Sequence, residues 1–417
     1  MLRLLRPDMD TPPIPVLIVD DDPTMSAMLR GLLRNLGGGL ACVPTCVGTG
    51  AAAREEFKRG THRLVLLDYM LPDDDGLALL AALNEQPEAQ RPVVIMLTGA
   101  GSEQVAVEAM KLGAEDYLVK SAVNLPALRR SIVGALERHR LEEQLAESTA
   151  ELRRQNAQME ADLAMAREVQ QALLPQRYPV FPVGVEPDRT RLRFCHRWIP
   201  SHKVAGDFFA VFPVAENVAG VFLCDVMGHG VRAALITALL RGLIREKQAL
   251  AGDPGAFFCA VNAKLKALLE RAGDLVFVTA VYLTVDARTG EVRLVNAGHP
   301  APLLLRRSDG RVERCASAEG PGPALGLIPE FVYGTTNHQL ATGDTLLLLT
   351  DGLFEVEGVD GEEFGQARLQ NAAAGRLAQP TAQLLDGLLA EVKAFRPAGA
   401  TDSLPDDVCL VAVDFVS

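Results

Sequence analysis

A run from Ala135 to Leu174 that holds neither glycine nor proline does most to limit how this chain can fold. Helical periodicity is already present from about residue 124, where Ile132, Ala135, Leu136 and His139 make a stripe. One helix is therefore expected to run on until Pro175 stops it. Leu145, Leu152, Met159, Ala166 and Leu173 recur at every seventh residue. The companion positions, Leu141, Ser148, Gln155, Asp162 and Val169, are mostly polar. One apolar seam and one polar seam describe a weak coiled coil that can shift or open, expected to join two copies in a parallel homodimer. The rival reading is a lone surface helix packed on a neighbouring domain.

Such a helix parts the chain into a front piece and a back piece. At 417 residues there is room for two or three domains with cores of their own. The expected bounds are a proline-containing tail at 1–13, a domain at 14–135, the coiled coil at 136–174 and a second domain at 175–417. The net charge of −12 disfavours nucleic acid and anionic membrane as partners. No basic recognition helix is visible, which sets aside a DNA-binding regulator. The seven cysteines (42, 46, 195, 224, 259, 315 and 409) include no CxxC pair and sit mostly in apolar settings. They read as core thiols of a reducing compartment. No apolar run approaches the ~18 residues of a membrane span, so the protein is expected in the cytoplasm.

In the front piece, Val16–Asp20, Cys42–Val47, Leu64–Leu67, Val93–Leu97 and Tyr117–Val119 read as short buried strands. Helical patterns lie between them at about 23–36, 49–59, 76–85, 102–112 and 124–140. This alternation implies a doubly wound α/β domain with five parallel strands. Chemistry in such sheets gathers at the carboxyl ends of the strands. Asp20 and Asp21 end the first strand, Asp68 the third, Thr98 the fourth and Lys120 the fifth. Three carboxylates together repel one another unless a hard cation joins them, and Mg²⁺ suits such an oxygen site. A carboxylate attacking a phosphoryl group also needs cations and donors for the phosphoryl oxygens, which Lys120 and the Thr98 hydroxyl can supply.

The stretches Val19-Asp-Asp-Asp-Pro23, Leu66-Leu-Asp-Tyr-Met-Leu-Pro72, Leu97-Thr-Gly99 and Asp116-Tyr-Leu-Val-Lys120 resemble a response-regulator receiver domain. The resemblance implies that Asp68 accepts phosphate from a sensor histidine kinase and that Asp20, Asp21 and Asp68 hold Mg²⁺. Thr98, Tyr117 and Lys120 would then form the switch that reports phosphorylation. Asp73, Asp74 and Asp75 are rivals as acceptor, but they follow Pro72 in a loop past the strand end.

In the back piece, strands and helices come in runs, which suggests an α+β domain of antiparallel sheets flanked by helices. Strands are expected at Leu192–Ile199, Phe208–Pro213, Val218–Asp225, Phe277–Val285, Val292–Asn296, Pro302–Leu305, Thr345–Leu349 and Val408–Phe415. Helices are expected at about 230–250, 254–272, 364–375 and 380–394. The stretch Phe222-Leu-Cys-Asp-Val-Met-Gly-His-Gly230 delivers an aspartate from an apolar strand into a glycine-rich turn. A carboxylate stripped of water there needs a cation or a hydrogen-bonded partner. Asp207, Asp351, Asp406 and Asp407 also stand at strand ends. No histidine or cysteine accompanies them at ligand spacing, which argues against zinc. Carboxylates alone call for Mg²⁺ or Mn²⁺, and two such ions can lower the pKa of a shared water and aim it at phosphorus.

Gly206-Asp-Phe-Phe209, Asp225-Val-Met-Gly-His-Gly230, Asn296-Ala-Gly-His-Pro300, Leu349-Thr-Asp-Gly-Leu-Phe-Glu355 and Asp406-Asp-Val408 resemble PPM-type (SpoIIE-like) serine/threonine phosphatases. By that resemblance Asp225 bridges two Mn²⁺ or Mg²⁺ ions, and Asp351 and Asp406 bind one of them. Val226 would contribute its carbonyl and Asp207 would order metal-bound water, with His229, His299 and Asp407 as accessories. Three positions depart from the family pattern: Ala210 replaces an acid, Met227 a serine and Cys409 a threonine. The Ala210 change points to one weakened metal and to a need for high Mn²⁺ or activation. The resulting expectation is a two-component response regulator that dephosphorylates a partner protein, an anti-sigma-factor antagonist in the resembling family. The alternative is a non-catalytic adaptor whose phosphatase fold binds a sigma or anti-sigma factor.

Overall fold

Runs of valine, isoleucine and leucine only a few residues long cannot satisfy their backbone alone, and here they pair into three sheets. The computed structural model describes residues 12–37, 39–86, 91–99, 103–270, 276–317, 320–397, 399–400 and 403–417. The expected tail lies outside them through residue 11, as do the first residue of the helix expected at 102–112 and the last two of that expected at 254–272. The chain divides into two units, Met1–Gln155 and Asn156–Ser417.

The first unit alternates strand and helix: β1 (Ile14–Val19), α1 (Pro23–Arg34), β2 (Cys42–Val47), α2 (Gly50–Arg59), β3 (Leu64–Asp68), α3 (Gly76–Asn84), β4 (Val93–Thr98), α4 (Glu103–Lys111), β5 (Asp116–Val119) and the start of α5 (Leu125–Leu173). All strands are parallel, in the order β2-β1-β3-β4-β5. Successive side chains of a strand face opposite ways, and the core divides accordingly. Val16 and Ile18 pack with Leu29, Leu33, Leu128 and Ile132 on one face, whereas Leu17 and Val19 meet Ala53, Leu79, Leu80 and Ala109 on the other. Both faces are covered, which is why these strands read as unbroken apolar runs. Helix starts are capped by Asp22, Thr49 and Asp75, each accepting a backbone N–H of the first turn.

The second unit holds β6 (Leu192–Ile199), β7 (Phe208–Ala215), β8 (Val218–Val226), α6 (Val231–Glu246), α7 (Pro254–Leu269), β9 (Val278–Asp286), β10 (Glu291–Ala297), β11 (Leu303–Arg306), β12 (Arg311–Arg314), β13 (Thr336–Gln339), β14 (Thr345–Leu349), α8 (Gly365–Ala374), α9 (Thr381–Phe395) and β15 (Val408–Phe415). Two five-stranded antiparallel sheets form, β13-β10-β9-β8-β7 and β12-β11-β14-β15-β6. Cys409, Val411 and Val413 of β15 join the core shared with the first of these sheets. Val408, Leu410 and Ala412 point the other way, onto Leu384, Leu385 and Leu388 of α9. The other helix pair packs on the first sheet, where Phe258 of α7 meets Phe222 and Tyr282.

Two strands, β12 and β13, had no sequence signal. Both lie at sheet edges, and their sequences, Arg-Val-Glu-Arg and Thr-Asn-His-Gln, carry the polar residues that blunt edges. Helix α6 stops at Glu246, short of the expected 250, and a separate turn follows at Gln248–Leu250. Among the described residues no helix is long and apolar enough to cross a membrane.

Gly76 fixes how closely α3 approaches the end of β3, since a Cβ there would lie 2.2 Å from the Asp68 carbonyl oxygen. Gly76→Ala is expected to loosen β3 and α3 by roughly 1–3 kcal/mol through overpacking. Native-state hydrogen exchange, which reads each unit by itself, would show those amides opening more readily than in the unchanged protein.

Candidate active sites

In the first unit, the parallel sheet brings its acids to one edge. Asp20 follows β1, Asp68 closes β3, Thr98 closes β4 and Lys120 follows β5. Oxygens of Asp20, Asp21 and Asp68 all lie within 4.8 Å of one another. The Lys120 ammonium donates to Asp68 Oδ2 at 2.7 Å and forms an ion pair with Asp20 Oδ2 at 2.8 Å. Asp20, Asp68 and Thr98 are buried, and Tyr117 is 43% exposed on β5. Burial pushes the Asp68 carboxyl above its ordinary range, Lys120 pulls it back, and the Asp20 charge adds to the rise. Three converging acids against one ammonium leave negative charge in excess, the condition a hard divalent cation relieves, so the residues fit Mg²⁺. The rival aspartates are engaged elsewhere. Asp73 accepts from the Gly50 and Ala51 N–H groups at the start of α2, Asp74 pairs with Arg54, and Asp75 caps α3.

In the second unit, six carboxylates act on one another electrostatically. Asp225 lies one residue from the end of β8, and its carboxyl is pushed up to about 7 by burial, then by Asp351 and Asp406, with Asp407 and Glu355 adding to the rise. Asp207 is raised well above its ordinary value by burial and by Asp225. Asp351 is raised by burial and by Asp406. Among the described residues no three of these acids bring their oxygens within 4.8 Å, so the cluster is wider than the one in the first unit. The cradle around it is tight. A Cβ on Gly206 would lie 2.9 Å from the Val226 carbonyl oxygen and 3.3 Å from Asp225 Oδ1, and one on Gly352 would lie 2.1 Å from the Asp407 carbonyl oxygen.

Asp207 is fixed from one side only. Its Oδ2 accepts from the Thr350 hydroxyl at 2.7 Å, and Thr350 Oγ1 accepts in turn from the Cys409 N–H at 2.8 Å. The buried Oδ1 has no partner among the described residues. A buried oxygen left over in a ring of mutually repelling acids is what a divalent ion or its water would satisfy, so these residues fit a metal centre.

Asp407 and His299 have protein partners of their own. Asp407 Oδ1 accepts from the Ser201 N–H and hydroxyl at 2.7 and 2.8 Å, and its Oδ2 from the Gly206 N–H at 2.6 Å. It therefore holds the loop that carries Asp207. His299 is sunk by burial to about 3 and stays neutral, with Nδ1 2.9 Å from Thr279 Oγ1. Asn296 clasps the His299 backbone from both sides at 2.8 Å. His229 is exposed and stacks on His202 at 4.8 Å. Ala210 is half-buried in β7 opposite Phe222, and Met227 is exposed.

Sequence reasoning missed Gln170. Near the end of α5 its amide donates to the Ala205 carbonyl at 2.8 Å and to Thr237 Oγ1 at 3.2 Å, and accepts from the Ala205 N–H at 3.0 Å. One side chain thus grips the peptide next to Gly206 and Asp207. A glutamine in a polar helix gives no sign of this. Thr350, also missed, had one signal, its place directly before Asp351.

Comparison with known proteins follows the same division. Residues 16–133 match the model of the response regulator receiver domain, and 216–416 that of stage II sporulation protein E (SpoIIE). A probable chemotaxis protein CheY of Rhizobium etli is 31% identical over 126 residues, which are 30% of this chain and 95% of that protein. The chain belongs to the response regulators and carries a SpoIIE-type domain. The phosphoserine phosphatase RsbP of Bacillus subtilis is 27% identical over 156 residues, 37% of this chain and 38% of its own length. Protein IcfG of Synechocystis is 25% identical over 278 residues, 60% of this chain and 41% of its own. The response regulator thus spans about two-fifths of these two relatives. The SiaA-PP2C domain of Pseudomonas aeruginosa superposes with a TM-score of 0.52 at 23% identity, covering 62% of this chain and 98% of that one, and shares the fold of the SpoIIE-type domain.

The raised Asp225 carboxyl makes stability depend on pH when metal is withheld. Its pKa is about 7 folded and about 4 unfolded, so the folded state binds the proton more tightly. The charged acid therefore weakens the fold above pH 7, and that weakness fades as pH falls through the folded value. In EDTA, resistance to urea is expected to rise from about pH 8 to about pH 5. Asp225→Asn should be the more stable protein at the alkaline end, with a flatter profile.

Proposed function

We propose that this response regulator converts phosphorylation of Asp68 into dephosphorylation of a partner protein, and that the partition of acids between its units underlies both steps. In the first, an Asp68 oxygen attacks the phosphorus of a kinase phosphohistidine, the P–N bond breaks and the imidazole leaves. Lys120, 2.7 Å from Asp68 Oδ2, is placed to meet the charge on the transferred phosphoryl group. Asp20, Asp21 and Asp68 would hold the Mg²⁺, and Thr98 and Tyr117 would report the change.

In the second step, Asp225, Asp351, Asp406 and the Val226 carbonyl would hold two Mn²⁺ or Mg²⁺ ions. Bound divalent ions supply charge neutralisation and a water acidic enough to act as nucleophile. Asp207, steadied through Oδ2 by Thr350, offers Oδ1 to orient that water. Water attacks the phosphorus of phosphoserine or phosphothreonine, the bond to the side-chain oxygen breaks, and that oxygen takes up a proton. The observation that carries this reading is the buried Asp207 Oδ1, left without a partner among the described residues beside Asp225 and Asp351, acids that burial and neighbouring carboxylates push up. An anti-sigma-factor antagonist is the partner class that the resemblance to SpoIIE-like phosphatases implies.

The link between the units in this reading is α5, acting as a coiled coil in a homodimer with domains at 14–135 and 175–417 on either side. Leu145 is 68% exposed, and Leu152 and Met159 are exposed with it, an apolar seam open to a second copy. At the far end, Gln170 ties the helix to the Ala205 peptide, so a shift of α5 would displace Asp207.

Hydrolysis of p-nitrophenyl phosphate with Mn²⁺, with and without beryllofluoride, tests the reading. Asp225→Ala should cut kcat at least about a hundredfold, and Asp68→Ala should leave basal hydrolysis while removing the beryllofluoride response. An unchanged chain that shows no Mn²⁺-dependent hydrolysis would favour the adaptor, and activity that persists without Asp225 would place the chemistry outside this cluster. Light scattering should give twice the 44.8 kDa chain mass, and Leu145→Lys with Leu152→Lys should halve it and silence the response.

A further inference from the structure

A cavity of about 400 Å³ in the second unit shares Asp351 and Glu355 with the acidic cluster and is further lined by Arg314, Phe331, Val332 and Phe354. Arg314 closes the edge strand β12 and is exposed. Its neighbours are committed: Arg306 pairs with Asp344 and Glu313, and Arg307 donates to the Leu377 and Gln379 carbonyls and the Thr381 hydroxyl. The Arg314 guanidinium meets no carboxylate or carbonyl among the described residues. Glu355 lines the same cavity without pairing with it. Val332 is 79% exposed, a large apolar side chain with little cover.

We propose that this cavity receives the segment of the substrate protein flanking the phosphorylated residue, and that Arg314 selects an acidic side chain there. The proposal rests on the phosphatase reading above. A phosphorylated residue seated at Asp225 leaves its extended neighbours, at about 3.3 Å per residue, within reach of a cavity that includes Asp351. A guanidinium that meets no acid of its own favours a carboxylate ligand and can engage both of its oxygens. Val332 and Phe331 give apolar cover to the same segment.

The test uses the full chain with Mn²⁺ and two sets of phosphoserine peptides, one flanked by Asp and Glu, the other by Lys and Arg. The acidic set should be favoured by about tenfold in kcat/KM. Arg314→Glu should reverse that preference, Arg314→Lys should keep most of it, and both should hydrolyse p-nitrophenyl phosphate as the unchanged chain does. Equal rates on the two sets overturn the proposal, as does a preference that survives Arg314→Glu, or peptides left intact while the aryl phosphate is cleaved. An unchanged chain inert on the aryl phosphate strikes at the phosphatase reading instead. Fluorescence-polarisation binding of the peptides then decides the cavity's role, and equal affinity for the two sets overturns it.

Discussion

Repulsion between buried carboxylates shapes both halves of this protein, and each half relieves it differently. In the first unit the chain supplies part of the remedy itself, because Lys120 reaches Asp20 and Asp68 together. In the second, among the described residues no lysine or arginine pairs with Asp207, Asp225, Asp351 or Asp406, and three of these acids are driven up in pKa. A fold that gathers such charge without a cation of its own carries an electrostatic strain that divalent ions would relieve. The glycines at 206 and 352 serve that gathering, since any side chain there would force the backbones apart.

Much of this was legible beforehand because the acids sit where apolar strands end. A strand covered on both faces announces itself as a run such as Leu64-Val-Leu-Leu67, and the polar residue that breaks the run marks the edge where chemistry occurs. At four residues each, with sequences Arg-Val-Glu-Arg and Thr-Asn-His-Gln, β12 and β13 are too short and too polar to form such a run, and were invisible for that reason. The roles of neighbours were less legible than their positions. Asp406 and Asp407 are adjacent, yet Asp407 spends both oxygens on Ser201 and Gly206, a choice set by loops remote along the chain. Gln170 is the clearest case, since nothing local separates it from the polar residues around it.

Helix α5 changes character along its length. Its start is ordinary core, with Leu128, Ile132 and Ala135 buried under the parallel sheet. Its middle exposes Leu145, Leu152 and Met159, and its end returns to the interior with Leu173 and Leu174 at the sandwich core. A helix too polar to be a core element and too apolar at one seam to be only a tether has the pattern that the proposed coiled coil would need.

The grip of Gln170 on the Ala205 peptide has a consequence of its own. Donor and acceptor of one amide meet acceptor and donor of one peptide, and none of the four carries net charge. Screening by salt and titration by acid, which would blur an ionic latch, leave such a clasp untouched. Its strength rests on alignment, so in the proposed switch it would pass on a displacement of α5 while staying insensitive to the salt and acidity of the surrounding water.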